Sequence, residues 1–117
     1  PQLISGAAGV AACIGADFAK VNYPNKFSGM TRAESLAIAS QAAGRTGIIC
    51  SGGGSLPPDE FLQRLWVQMN TGNCRGAATG RNIHQKDTES AVKMTAACHA
   101  IICENATVEH ALAIYNS

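Results

Sequence analysis

The chain alternates short apolar runs with longer stretches in which apolar residues recur every three or four positions. Short runs bounded by turn residues predict strands, and the longer spacing predicts amphipathic helices. The predicted strands cover residues 16–23, 47–50 and 75–79. The predicted helices cover residues 1–14, 31–44, 57–70 and 89–103, with a short helical piece at 80–85 and a last helix that begins at Asn105 or Thr107 and runs through Ile114. This order, αβαβαβαα, indicates an α/β protein with a parallel sheet.

A parallel sheet is stable only when both of its faces are covered. Three strands with their helices cover one face and leave the other open. Strands that are each followed by a helix are also typical of a (β/α)₈ barrel. We therefore predict that the chain is either part of a longer barrel or a half-structure that pairs with other protein.

The first predicted strand alternates between two sets of side chains. Phe18, Lys20 and Asn22 share one face, and the residues between them share the other. In a closed barrel the second set meets the helices, which leaves Lys20 in the interior near the carboxyl-terminal mouth. Desolvation there lowers the pKa of a lysine and favours a free amine that attacks carbonyls as a Schiff-base nucleophile. The alternative is a structural lysine that is satisfied by a partner or extends to water.

Two glycine-rich turns follow the second and third predicted strands. Residues 51–55 read Ser-Gly-Gly-Gly-Ser and precede the helix start at Pro57, whereas Gly80 is followed directly by Arg81. Glycines allow the main chain to approach a ligand closely, and amides at a helix start favour phosphate. We expect one shared anion site. The alternative is that the glycines are present only because short loops often need a positive φ.

Neighbouring polar residues have several possible roles at this site. The hydroxyl of Ser51 is a further candidate donor, whereas Ser55 is a helix-start residue. Asn82 and Gln85 either contact the ligand or hold the loop in place.

Composition excludes several classes of function. A net charge of +1 with 15% charged residues supplies no basic face for nucleic acid. Five cysteines without a close pair indicate free thiols in a reducing compartment, with Cys13, Cys50 and Cys98 expected to be buried. The three histidines lack the spacing of metal ligands, and charged residues interrupt the apolar amino-terminal stretch. We expect no metal, no cofactor, no membrane association and a cytoplasmic location.

Three segments together resemble a known family. They are GADFAKVNYP at 15–24, CSGGGS at 50–55 and ATGRNIHQK at 78–86. The chain is similar over nearly its whole length to class I fructose-bisphosphate aldolases of the archaeal and bacterial type, which are Schiff-base-forming (β/α)₈ barrels. The resemblance implies that residues 1–117 form one partial barrel domain, namely strand–helix units six to eight and a terminal helix.

The resemblance also implies the site residues. Lys20 matches the Schiff-base lysine of the sixth strand. The phosphate-binding turns after the seventh and eighth strands match Ser51, Gly52, Gly53, Gly54, Gly80 and Arg81. The family's aspartate and tyrosine for proton transfer lie in earlier strands, and Tyr23 does not replace that tyrosine because it is on the opposite strand face from Lys20.

The implied reaction is cleavage of fructose 1,6-bisphosphate to dihydroxyacetone phosphate and glyceraldehyde 3-phosphate, a step of glycolysis and gluconeogenesis. Two alternatives remain: a related lysine-dependent aldolase or synthase acting on another phosphorylated ketose, and a non-catalytic half-barrel that binds sugar phosphates. The expected partners are a phosphorylated sugar and further copies of the protein, with additional protein covering the inner face of the sheet.

Overall fold

A computed structural model describes residues 2–117 and confirms the predicted order of elements. The strands are β1 (Phe18–Val21), β2 (Gly47–Ser51) and β3 (Gly76–Ala78). The helices are α1 (Gln2–Cys13), α2 (Arg32–Ala42), α3 (Pro58–Asn70), α4 (Arg81–His84), α5 (Thr88–Glu104) and α6 (Val108–Asn116). The predicted start of the first helix at residue 1 lies outside the described residues. β1 and β3 are shorter than predicted because only their central residues pair with β2.

The strands form one parallel sheet in the order β1-β2-β3. Lys20 pairs with Ile49, and Ile49 in turn pairs with Gly76. Paired residues of a parallel sheet point to the same side, so these three positions share one face. The carboxyl ends of all three strands also lie along one edge, where the two glycine turns begin.

Side-chain caps fix the starts of three helices. Thr31 and Glu34 form a capping box: the Thr31 amide donates to Glu34 Oε2 at 2.6 Å, and the Glu34 amide donates to Thr31 Oγ1 at 3.2 Å. Asp87 caps α5 by accepting from the Ser90 amide at 3.1 Å. Thr107 caps α6, whereas Asn105 ends α5 in the left-handed conformation. The Thr107 cap decides between Asn105 and Thr107, the two start residues that the sequence left open for the last helix.

All of the tightly packed core lies on the helix side of the sheet. One cluster joins the apolar stripe of α3 to α5 and α6 around Leu62, Met94 and Ile101. The other joins α1 and α2 to the sheet around Leu36, Ile48 and Cys50. Trp66 is half-buried against the first cluster, as expected for a core residue.

Some burial predictions were wrong. Cys13 is exposed at the end of α1, although Cys50 and Cys98 are buried and all five cysteines are free thiols. The spacing of apolar residues along α5 predicts that Ala91, Met94, Thr95, Cys98 and Ile102 face inward. Met94 and Cys98 are buried and Ala91 and Ile102 are half-buried, but Thr95 is exposed, and its hydroxyl donates to the carbonyl of Ala91 at 2.8 Å. Small and apolar residues of α5 occur on every side of the helix, so their spacing alone does not determine which side is buried.

Large apolar side chains remain uncovered on two surfaces. On α1 and directly after it, Leu3 is 89% exposed and Ile14 is 79% exposed. On the sheet face opposite the helices, Phe18 is 56% exposed beside the exposed Lys20. We call this surface the open face. Exposed apolar residues in such number are typical of surfaces that contact other protein. No helix within residues 2–117 combines the length and the hydrophobicity needed to cross a membrane.

We expect the chain, expressed by itself, to self-associate or to form a loosely packed state, because association removes these apolar surfaces from water. Light scattering and thermal melting measure this. Replacing Leu3 and Ile14 together with glutamate should reduce association, whereas Gln63→Glu on the exposed surface of α3 should not. A compact monomer with a cooperative melting transition would contradict the expectation.

Candidate active site

Lys20 lies on the open face of β1, as the alternation of residues predicted. Its side chain is exposed, as are those of Phe18 and Asn22, whereas Ala19 and Val21 pack toward the helices. The neighbouring position on β2 is Ile49. The strand therefore places a primary amine beside an apolar residue, close to the edge where the turns begin.

The turn after β2 contains both bonded and free amides. The Gly52 amide donates to the carbonyl of Ala78 at 2.6 Å and thereby extends the pairing of β2 with β3. Gly53 adopts a positive φ of 71° that favours glycine. Among residues 2–117, the amides of Gly53 and Gly54 donate to no protein acceptor. Gly52 thus joins the strands, and its two successors supply the unpaired donors.

The turn after β3 has the same character. Gly80 has a φ of 22°, and the amides of Gly80 and Arg81 have no acceptor within the described chain. The Arg81 side chain is exposed and forms no hydrogen bond or ion pair with any of residues 2–117. Because the Gly52–Ala78 bond joins the bases of the two turns, these four free amides lie at the same edge of the sheet, and the arginine at position 81 begins there. Such a concentration of donors is suited to a phosphate.

Asn82 connects the two turns a second time. Its side-chain nitrogen donates to the Gly54 carbonyl at 3.2 Å, and its side-chain oxygen accepts from the Leu56 amide at 2.9 Å. The sequence left open whether Asn82 contacts ligand or holds the loop, and these bonds show that it holds the loop. Gln85, by contrast, is exposed at the end of α4.

Two arginines lie behind the glycine turn on the helix side, around Tyr23. The Arg32 guanidinium stacks 4.2 Å from the centre of the Tyr23 ring, and that of Arg64 lies at 5.9 Å. Arg64 also forms a long hydrogen bond of 3.5 Å from Nη1 to the Gly52 carbonyl. The sequence analysis missed both arginines, because their spacing along the chain gives no sign that they meet at one ring.

The same cluster perturbs three titratable groups. Burial raises the pKa of Tyr23. The neighbouring thiol of Cys74, helped by the two arginines, lowers the pKa of Cys50, whereas the Cys50 thiol and burial raise the pKa of Cys74. Tyr23 therefore stays protonated on the far side of the sheet from Lys20. Within residues 2–117, no three or more histidine, cysteine or acidic side chains are grouped so that they could hold a metal.

A parallel sheet in which each strand is followed by a helix, with glycine turns at the carboxyl ends of its strands, has the architecture of part of a (β/α)₈ barrel. The family model described as "DeoC/LacD family aldolase" matches residues 1–86. The chain belongs to this family.

Individual relatives agree with the family. The chain is 53% identical over 115 residues to a fructose-bisphosphate aldolase/6-deoxy-5-ketofructose 1-phosphate synthase of Methanocaldococcus jannaschii, covering 98% of this chain and 36% of that protein. It also matches the structure of a fructose-bisphosphate aldolase from Slackia heliotrinireducens with a TM-score of 0.95 at 51% identity, over 99% of this chain and 36% of that one. A Schiff-base-forming fructose-1,6-bisphosphate aldolase has a TM-score of 0.72 at 26% identity, over 87% of this chain and 38% of its own. The chain thus spans little more than a third of the length of these relatives.

Gly52 should be the least replaceable glycine of its turn. A Cβ at Gly52 would lie 2.7 Å from the Ala78 carbonyl oxygen and 3.1 Å from Thr79 Cα, whereas a Cβ at Gly54 would meet nothing within 4 Å. We expect Gly52→Ala to lower the free energy of unfolding by about 1–3 kcal/mol, the usual cost of overpacking. Gly54→Ala is the matched control and should stay within about 0.5 kcal/mol of the parent.

Urea unfolding measures both values. The protein to use is a fusion in which this chain replaces the matching segment of the Methanocaldococcus jannaschii relative, called the barrel fusion below. Equal effects of the two substitutions would contradict the close packing of the turn against β3.

Proposed function

We propose that the chain forms the covalent and phosphate-binding part of a class I fructose-bisphosphate aldolase. The observation that carries the proposal is the position of Lys20 on the open face, beside the edge that holds the free amides of both turns. Neighbouring strands are about 4.8 Å apart, so a ketone with a nearby phosphate can contact both groups. Membership of an aldolase family and the names of the relatives support the same activity.

The proposed chemistry begins with Lys20. Its amine adds to the C2 carbonyl of the bound ketose, and loss of water gives an iminium. The C3–C4 bond then breaks, its electron pair moves toward the iminium nitrogen to form an enamine, and the C4 hydroxyl proton leaves to a base as the aldehyde is released. Protonation of the enamine at C3 and hydrolysis by water free dihydroxyacetone phosphate and restore the amine. The residues that transfer these protons are expected in the preceding strands of the barrel.

One phosphate of the substrate is held by the two turns. The proposed donors are the amides of Gly53, Gly54, Gly80 and Arg81, the Arg81 guanidinium and the Ser51 hydroxyl. Gly52 contributes differently, because its amide is already bonded to Ala78: the absence of a side chain lets the turn lie against β3. The site consists mainly of backbone groups, which suits an anion carried by many sugars.

A second substrate is favoured by one specific finding. The Methanocaldococcus jannaschii relative is named as a 6-deoxy-5-ketofructose 1-phosphate synthase as well as an aldolase. The same lysine and phosphate site would serve another phosphorylated ketose. Assays of the barrel fusion with a panel of phosphorylated ketoses separate the two activities, and a non-catalytic sugar-phosphate-binding module would bind these compounds without forming an imine.

We further propose that residues 1–117 are strand–helix units six to eight of the barrel with its terminal helix, and that additional protein covers the open face. The exposed Phe18 and the apolar surface of α1 support this arrangement, and they suit contacts within a barrel or a homo-oligomer. Five free thiols support a reducing compartment such as the cytoplasm.

Lys20 should form the covalent adduct. Dihydroxyacetone phosphate with borohydride should label the barrel fusion at Lys20, since reduction makes the imine permanent, and mass spectrometry locates the label. Lys20→Arg should abolish labelling without unfolding the protein, whereas Lys26→Arg and Lys86→Arg should retain it. An adduct that maps to Lys26 or Lys86 would remove Lys20 from the mechanism.

Arg81 should contribute directly to phosphate affinity. We expect Arg81→Ala to weaken the binding of inorganic phosphate to the barrel fusion by about 1.5–3 kcal/mol, the scale of a charge-assisted hydrogen bond. Arg75→Ala is the matched control, because Arg75 is another exposed arginine and precedes β3 at its opposite end. Calorimetric titration measures both, and equal affinities of the Arg81 variant and the parent would move the anion site elsewhere.

A further inference from the structure

We propose that Asn82 is a positioning residue that sets the spacing between the two halves of the phosphate site. It acts through the backbone of the turn after β2 and not by contact with substrate. This inference rests on the proposed function, since it assumes that the free amides of the two turns bind one phosphate.

The burial and bonding of Asn82 carry the inference. Only 1% of the residue is exposed, although it directly follows the exposed Arg81. Both functional groups of its side-chain amide form hydrogen bonds: the nitrogen donates to the Gly54 carbonyl, and the oxygen accepts from the Leu56 amide. The two partners also fix the orientation of the amide, because a carbonyl accepts only from a donor and an N–H donates only to an acceptor.

These bonds span a long separation in sequence. Asn82 lies just after the turn that follows β3. Its partners Leu56 and Gly54 belong to the segment after β2, 26 and 28 positions earlier in the chain. The Gly52–Ala78 bond joins the turns at the sheet, and Asn82 joins them farther out. The amides of Gly53 and Gly54 lie along the chain between the Gly52 amide and the Gly54 carbonyl, which are attached by these bonds. The two free amides are therefore held at a fixed distance from those of Gly80 and Arg81, which lowers the entropy that phosphate binding must remove.

A direct role in binding is disfavoured by the same contacts. A buried side chain whose donor and acceptor are both engaged would have to break two internal hydrogen bonds to reach a ligand. Each broken bond leaves a buried polar group unsatisfied, which is costly. The positioning role requires no change, because both hydrogen bonds of the Asn82 side chain stay intact.

The test compares ligands with and without a phosphate. In the barrel fusion, Asn82→Ala should raise the dissociation constant of inorganic phosphate about tenfold, the equivalent of losing one to two hydrogen bonds. It should raise KM for fructose 1,6-bisphosphate by a similar factor and change kcat less. Borohydride labelling of Lys20 by dihydroxyacetone, which lacks a phosphate, should match the parent, whereas labelling by dihydroxyacetone phosphate should need higher concentrations. Asn82→Leu fills the same volume without hydrogen bonds and should behave alike if the alanine variant is unstable.

Thr46→Val is the matched control. Thr46 is another buried residue whose side chain bonds to a distant backbone, donating to the Ala16 carbonyl at 2.7 Å, but it lies at the amino end of β2. It should lose stability without losing phosphate affinity.

Several outcomes would overturn the inference. These are unchanged phosphate affinity in both Asn82 variants, equal losses with dihydroxyacetone and its phosphate, a matching loss in Thr46→Val, or failure of both Asn82 variants to fold while Thr46→Val folds. If the parent fusion binds phosphate and labels at Lys20 in these cases, the proposed function survives and only the role of Asn82 fails. If the parent does neither, both fail.

Discussion

The pairing of β2 with β3 at their carboxyl ends is the constraint on which the site depends. Gly52 continues that pairing one residue beyond the strand, where any side chain would collide with the backbone of Ala78 and Thr79. The close contact brings the start of each turn against the other. Without it, nothing at the sheet would hold the loop with the free amides of Gly53 and Gly54 close to the loop with those of Gly80 and Arg81. The proposed anion site is therefore a consequence of strand pairing as much as of glycine content.

The two faces of the sheet have separate tasks. The helix side contains the apolar clusters, the buried thiols and the stack of Arg32 and Arg64 on Tyr23, which supports the glycine turn from behind. The open face contains Lys20 and is left without cover by the described chain. This separation explains why Tyr23 is unsuited to proton transfer at Lys20, although the two residues are only three positions apart. A strand sends successive side chains to opposite faces, and an odd separation places them on different sides.

Sequence patterns predicted the features that depend on local rules. Alternation placed Lys20 and Tyr23 on opposite faces. The sequence Thr31-Arg-Ala-Glu34 predicts the observed capping box, because a cap needs only residues within one turn of helix. Features that depend on distant partners were not predictable. The bond that occupies the Gly52 amide and the two bonds of Asn82 join residues 26 or more positions apart. On α5 the spacing placed Met94 and Cys98 inward correctly and Thr95 wrongly, because small and apolar residues occur on every side of that helix.

The proposed recognition of phosphate by backbone amides and of the carbonyl by a lysine side chain limits how the site can select its substrate. Under the proposed function, the amides of the two turns recognise a phosphate and Lys20 recognises a carbonyl. Both groups occur in every phosphorylated ketose, so neither distinguishes fructose 1,6-bisphosphate from 6-deoxy-5-ketofructose 1-phosphate. Discrimination requires contacts to the remaining carbons and hydroxyls, because a site rejects an analogue strongly only when its own polar groups lose partners. Those carbons would extend from Lys20 across the open face, away from the turns. Specificity in this family is therefore expected to reside in the protein that covers the open face, while the chain described here supplies the chemistry that its members share.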